Sequence, residues 1–158
     1  MNKDWQEYKF RELAEICYGK NQKSVICPKS DIPIFGTGGL MGYATQYLYN
    51  KPSVLIGRKG TISKVQYIEK PFWTVDTLFY TKINEDLVYP HFLYYLLSTI
   101  DLSQYNEGTS IPSLRTETLN NIQLSIPSLS IQNVILNKLE YIDKKIQVNT
   151  QLNDNLVA

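Results

Sequence analysis

The apolar and polar positions divide this chain into two unlike parts. As far as about residue 127 the pattern is one of short elements broken by Gly, Pro and Asn. Beyond it runs a single uninterrupted helical pattern. Residues 8–18 read as a short opening strand and a helical turn, after which Gly19 and Lys20 open a polar loop. Residues 32–35 form a short strand that ends in the turn Gly36-Thr37-Gly38-Gly39. Val54-Leu55-Ile56-Gly57 is a continuous apolar run, the pattern of a buried strand. Arg58-Lys59-Gly60 turns the chain, and residues 61–68 alternate apolar and polar as a half-buried hairpin partner would. Residues 77–83 predict a further strand. Pro90 opens a helix through Ser98, apolar nearly all round, with proline at a first helical position that needs no N–H. A loop over residues 104–113, a helical turn at 116–120 and a last strand at 122–126, stopped by Pro127, complete this part. Short strands mixed irregularly with few helices predict a single globular α+β domain over residues 1–127.

Residues 128–158 predict a long C-terminal coiled-coil helix, with no Gly or Pro from Leu129 to Val157. Ile135, Leu139, Ile142, Ile146, Asn149, Asn153 and Leu156 step by alternating four and three, which is a heptad stripe. The two asparagines weaken that stripe, yet a polar residue in such a position fixes register and partner number. About 28 residues at 1.5 Å each give a rod of roughly 42 Å, too long to lie wholly beneath so small a domain. The pattern therefore predicts pairing with another long helix, against a simple fold-back on its own core.

Charge changes the picture once it is divided along the chain. The net charge is only +1. Residues 1–15 carry three basic and four acidic side chains; residues 16–70 carry eight basic (Lys20, Lys23, Lys29, Lys51, Arg58, Lys59, Lys64, Lys70) and two acidic; residues 71–158 carry five basic and nine acidic. A basic first half before an acidic second half predicts two surfaces for different partners, and basic loops bearing glycines suit a phosphate backbone. The single histidine, His91, follows Pro90 and reads as a capping or packing residue. Cys17 and Cys27 lack metal-knuckle spacing and read as reduced thiols. No run approaches the ~20 apolar residues of a membrane helix, and Met1 to Trp5 show no signal-peptide core, so the expected location is the cytoplasm.

No catalytic constellation emerges. The Gly36–Gly39 turn is not a dinucleotide fingerprint, since Met41 stands where the third glycine should. It is not a P-loop either, and no Asp/Asn-Pro-Pro-Tyr/Phe motif follows to hold a flipped base for methylation. Gly57-Arg58-Lys59-Gly60-Thr61 brings adjacent cations and pliant backbone together, as an anion site requires. Gly108-Thr109-Ser110-Ile111-Pro112-Ser113-Leu114-Arg115 adds hydroxyls and one arginine suited to phosphates and base edges.

These motifs, in this order, resemble the target recognition domain of type I restriction–modification specificity subunits. The resemblance runs through residues 32–43 and 54–62, then Pro71-Phe72-Trp73-Thr74-Val75-Asp76-Thr77, Phe92-Leu93-Tyr94-Tyr95-Leu96-Leu97 and residues 108–114. It continues from Ile126-Pro127-Ser128-Leu129 into Ile142-Asp143-Lys144-Lys145-Ile146 of the helical spacer, and departs at Ile131-Gln132, where the family usually has Glu-Gln. It implies a non-catalytic, sequence-specific DNA-binding subunit that directs methyltransferase and restriction/translocase subunits to a bipartite site. No cofactor is implied on this chain; S-adenosylmethionine, ATP and Mg are expected only on partner subunits. With one recognition domain and one helix, the chain looks like half of such a subunit, and a homodimer through the helix is expected. Lys20, Lys23, Arg58, Lys59 and Lys64 are the expected phosphate contacts. Thr37, Thr61, Ser110 and Arg115 are candidates for base edges or the adjoining sugar-phosphate. Tyr43 is an aromatic candidate, whereas Trp73 suits the core better. The rival from another class is a non-catalytic adaptor that binds protein through the helix and whose basic face is incidental.

Overall fold

In the computed structural model, the backbone is described for residues 5–157 and the side chains for residues 5–154. The elements are β1 (Trp5–Lys9), α1 (Phe10–Leu13), β2 (Ala14–Tyr18), β3 (Ile32–Gly36), β4 (Gly39–Ala44), β5 (Ser53–Gly57), β6 (Val65–Ile68), β7 (Trp73–Thr74), β8 (Leu78–Ile83), α2 (Pro90–Ser98), α3 (Thr116–Asn120), β9 (Gln123–Pro127) and α4 (Leu129–Val157). A 3-10 turn covers Leu102–Tyr105. The expected α+β class is what forms, as three small sheets: β2-β8-β5-β6, β4-β3-β7 and the ribbon β1-β9.

The continuous apolar run became β5 because both its faces are covered. Val54 and Ile56 point into the main core with Phe79 of β8, while Leu55 joins Phe72, Leu78 and Tyr80 on the opposite face. The main core is closed by Phe10 and Leu13 of α1, Phe92, Leu93 and Leu97 of α2, Leu119 of α3 and Leu136 of α4. A smaller cluster, Val25, Ile34, Ala44, Trp73 and Val75, fills the three-stranded sheet. Trp73 is core, as its sequence context suggested, and its indole N–H donates to the Lys20 carbonyl at 2.9 Å.

Three local readings need correction. Residues 14–18 do not continue a helical turn; they form β2, paired antiparallel with β8 from Ala14↔Ile83 to Tyr18↔Phe79. Residues 39–44 form β4, a strand not marked by alternation because Gly39 and Gly42 interrupt it. Residues 61–64 are loop, and β6 starts only at Val65. The cause is Gly57, where a Cβ would stand 2.1 Å from the Thr61 carbonyl oxygen, so the chain folds back on itself before it pairs.

The long helix α4 begins as predicted and divides in two. Gln132 is fully buried; its side chain accepts from Tyr89 N–H at 2.9 Å and donates to the carbonyls of Leu87 and Pro127, both at 2.8 Å. Leu136 enters the core and Ile135 packs against it. His91 stacks between Tyr67 and Tyr95, with ring centroids 4.6 Å apart on each side, and faces the Glu140 carboxylate at 3.7 Å. It is thus the packing residue its position implied. One turn further along both helices, the Tyr95 hydroxyl donates to Asp143. From residue 141 to residue 154 every side chain is exposed. Residues 129–140 thus lie on the domain's own core, and the helix beyond them does not.

Candidate nucleic-acid interface

The register of the four-stranded sheet brings separated loops to one end. Tyr18 at the end of β2 faces Phe79, Gly57 at the end of β5 faces Leu78, and Val65 at the start of β6 faces Ile56. The loops 19–31, 58–64 and 75–77 therefore leave the sheet on the same side. Lys20, Lys23, Lys29, Arg58, Lys59 and Lys64 sit on them, six of the eight cations in residues 16–70, although the 27–29 stretch runs back beside Tyr43, where Cys27 N–H donates to the Tyr43 carbonyl at 2.8 Å. Lys51 and Lys70 flank the opposite end, before β5 and after β6, so the basic segment is not one surface throughout.

Backbone hydrogen bonds fasten these loops to one another. Gly19 N–H donates to Leu78 and Lys20 N–H to Thr74, at 3.0 and 2.9 Å; Arg58 N–H donates to Thr77 at 2.8 Å. The loop containing Gly108 is then laid along the 57–61 turn. Leu114 N–H donates to the Arg58 carbonyl, Gly60 N–H to the Pro112 carbonyl, both at 2.9 Å, and Lys59 bridges Ser113. Glycine is required at both bends. Gly60 has φ +86°, and a Cβ on Gly108 would lie 1.9 Å from the Ile111 carbonyl oxygen. Asn106, which sequence reasoning missed, holds the second loop shut: its Oδ1 accepts from Gly108 N–H and Ser113 N–H, each at 2.9 Å.

Arg58 has more to do here than its expected role. Its Nη1 donates to the Asp76 carbonyl at 2.9 Å, and its guanidinium lies 5.1 Å from the Tyr18 ring centroid. Tyr18 in turn packs edge-on against Phe79. Arg58 is thus a half-buried strut between its own turn, the 75–77 segment and the end of β2, with part of its donor set already used. Lys20, Lys23, Lys59, Thr61, Lys64, Ser110 and Arg115 are exposed. Ile111, also missed, stands 61% exposed at the loop tip. Arg115 pairs through Nε with the Glu107 carboxylate at 3.1 Å.

Thr37 is half-buried on the β3–β4 turn. That turn stands beside the 75–77 segment, because Val75 N–H donates to Phe35 and Gln66 Nε2 to the Gly36 carbonyl. Tyr43 is not brought to this group. It pairs with Pro33 at the far end of the hairpin and lines a separate groove with Phe35, Leu40 and Lys70. Lys64 lies to one side, in a shallow depression with Ser98 at the end of α2. Cys17 and Cys27 are free thiols; burial and the neighbouring Glu15 raise the Cys17 pKa, which keeps it protonated.

On α4 the heptad positions have different surroundings. Ile135 is half-buried against the domain and Leu139 is half-buried, whereas Ile142, Ile146, Asn149 and Asn153 are bare; the Leu156 side chain lies outside the described residues. A second exposed stripe, Val134, Tyr141, Val148 and Leu152, runs beside the first, about 100° round the helix. Among the described residues no helix is long and apolar enough to cross a membrane.

A mixed α+β domain with glycine-pinched basic loops at one end and a long projecting helix defines a recognition module more than a reaction centre. The chain belongs to the family described as Type I restriction modification DNA specificity domain, whose model matches residues 2–158. It is 25% identical to the type I restriction enzyme MjaIX specificity subunit of Methanocaldococcus jannaschii, over 98% of this chain and 41% of that protein. It is 24% identical to the type I restriction enzyme EcoDI specificity subunit of Escherichia coli, over 87% of this chain and 31% of that one. The fold matches the crystal structure of the type I restriction–modification S subunit from M. genitalium with a TM-score of 0.80 at 20% identity, covering 92% of this chain and 41% of that chain. It also matches the HsdS subunit from Thermoanaerobacter tengcongensis with a TM-score of 0.73 at 15% identity, covering 94% of this chain and 39% of that chain. The chain thus spans less than half the length of these relatives.

Proposed function

We propose that this chain is a non-catalytic, sequence-specific DNA-binding half of a type I specificity subunit, which guides methyltransferase and restriction/translocase subunits to a bipartite site. The observation that supports it most is the hydrogen-bonded pairing of the 57–61 and 106–115 loops at the end of the sheet that carries Arg58 and Lys59 and from which the Lys20-bearing loop departs. In this reading Lys20, Lys23, Lys59 and Lys64 hold phosphates, and the remaining donors of Arg58 reinforce them. Thr37, Thr61, Ser110 and Arg115 approach base edges. Residues 1–127 form the recognition domain and 128–158 the spacer. The bare Ile142, Ile146, Asn149 and Asn153 stripe pairs with the helix of a second copy in a coiled-coil homodimer. The Val134, Tyr141, Val148 and Leu152 stripe is left for an enzymatic subunit. S-adenosylmethionine, ATP and Mg belong to those partners, in the cytoplasm.

Selection from a random-sequence duplex library by the purified chain, with elution from heparin followed against salt, tests the DNA reading. Enrichment of a motif is the expected result; no enrichment would return the protein-binding adaptor. Light scattering tests the pairing. The chain should be dimeric and Ile142→Asp/Ile146→Asp monomeric, while a wild-type monomer at high concentration would refute it.

A further inference from the structure

We infer that Glu107 is a positioning residue for DNA readout: it holds Arg115 so that the exposed end of the guanidinium meets a base edge and not a phosphate. The inference rests on the DNA-binding reading above and names the specificity device within that interface.

The carboxylate of Glu107 is held from two sides. Oε2 lies 3.1 Å from Arg115 Nε, and Oε1 accepts from the Thr118 hydroxyl of α3. Its backbone is fixed as well, since Glu107 N–H donates to the Ser113 carbonyl at 2.9 Å. Arg115 is anchored at its own backbone. Leu114, buried in the core, donates to Arg58, and the Arg115 carbonyl accepts from Leu119 N–H at 3.1 Å. Two fixed points at opposite ends of the side chain restrict an otherwise flexible arginine. The side chain remains 71% exposed while the Glu107 side chain is 29% exposed, so the acid sits behind the base relative to solvent.

Charge makes the arrangement selective. Every phosphate of a duplex attracts an unpaired arginine alike, and such contacts carry no sequence information. An arginine already neutralised on its Nε side has less to gain from phosphate. Its planar Nη groups still match the paired acceptors of guanine in the major groove. An acid in the middle of a basic rim weakens binding to all DNA, and that general loss is offset by discrimination at one base pair.

The test uses the full chain, the duplex it enriches from a random library, single-base variants of that duplex and a scrambled duplex. Glu107→Gln should bind the scrambled duplex more tightly, with a log-affinity against log-salt slope steeper by about 1. Discrimination at one base pair should fall from about tenfold or more to near unity. Arg115→Lys should lose the same preference while the salt slope stays as in the wild type. Thr118→Val, which changes no charge, should lower the preference in part and covers the case in which Glu107→Gln fails to fold. If Glu107→Gln or Thr118→Val tightens or weakens all duplexes by one factor and keeps base discrimination, Glu107 is only a bulk charge and the inference is overturned. If the wild type enriches no sequence, the DNA reading itself falls, and that result is distinct from loss of preference in the variants alone.

Discussion

Gln132 offers the sharpest test of how the helix is fixed to the domain. Gln132→Leu keeps roughly the same volume but removes an amide that makes three hydrogen bonds inside a fully buried setting. The Pro127 carbonyl is left in a dry site, whereas Leu87 and Tyr89 are half-buried and regain some water. A buried polar group without a partner costs about 1–3 kcal/mol. With the full cost at Pro127 and about half at the other two, the loss comes to about 2–6 kcal/mol. For a chain of this size about 2–4 °C of Tm accompanies each kcal/mol, so Tm should fall by about 10 °C. Urea unfolding followed by circular dichroism measures the loss, and hydrogen exchange should show it concentrated at residues 87–89 and 129–140. Gln132→Glu sharpens the test, because the introduced carboxylate faces two carbonyl oxygens and resists ionisation when folded. Its folded pKa is raised above the ordinary ~4.3, so its stability should recover as pH falls toward that value and decline again as pH rises. A Gln132→Leu loss below about 1 kcal/mol would mean that apolar packing alone docks the helix, and the reasoning from the amide would be wrong.

Lys59→Ala should weaken binding to every duplex sequence and reduce the log-salt slope by about 1; an unchanged slope removes Lys59 from the phosphate contacts. Gly108→Ala must move the Ile111 carbonyl, 1.9 Å from the new methyl group, and so unseats the loop from the 57–61 turn. Sequence preference should be lost with the far-ultraviolet circular dichroism spectrum retained, and preserved preference would show that this loop does not read bases. In alkaline titration, burial should delay Tyr67, Tyr80 and Tyr95 behind the exposed tyrosines; Tyr80 is pushed up to about 12. These folded pKa values are raised, so stability is complete below about pH 10 and declines as pH rises above it. A single tyrosinate transition at the ordinary value would contradict the burial of these rings.

The local elements were legible where covalent and solvation rules act within a few residues. Pro90 at the first helical position gave α2 its start, the apolar run at 54–57 gave β5, and the absence of Gly and Pro gave α4 its length. The order of the glycine-bearing motifs carried the family. What sequence could not supply was which loops meet. β2 was hidden because Ala14 to Tyr18 takes its strand form from pairing with β8, more than sixty residues away. Arg58 looked like a free cation until the Asp76 carbonyl and the Tyr18 ring were found around it. Glu107 looked like one acid among nine until Thr118 and Arg115 converged on it. Tyr43 looked equivalent to the rim residues until the hairpin register placed it at the far end. The heptad stripe gave no sign that Ile135 would pack on its own domain and that Ile142 and Ile146 would be bare. Propensity and periodicity are properties of neighbours along the chain, whereas a site depends on distances set by long-range sheet register and core packing.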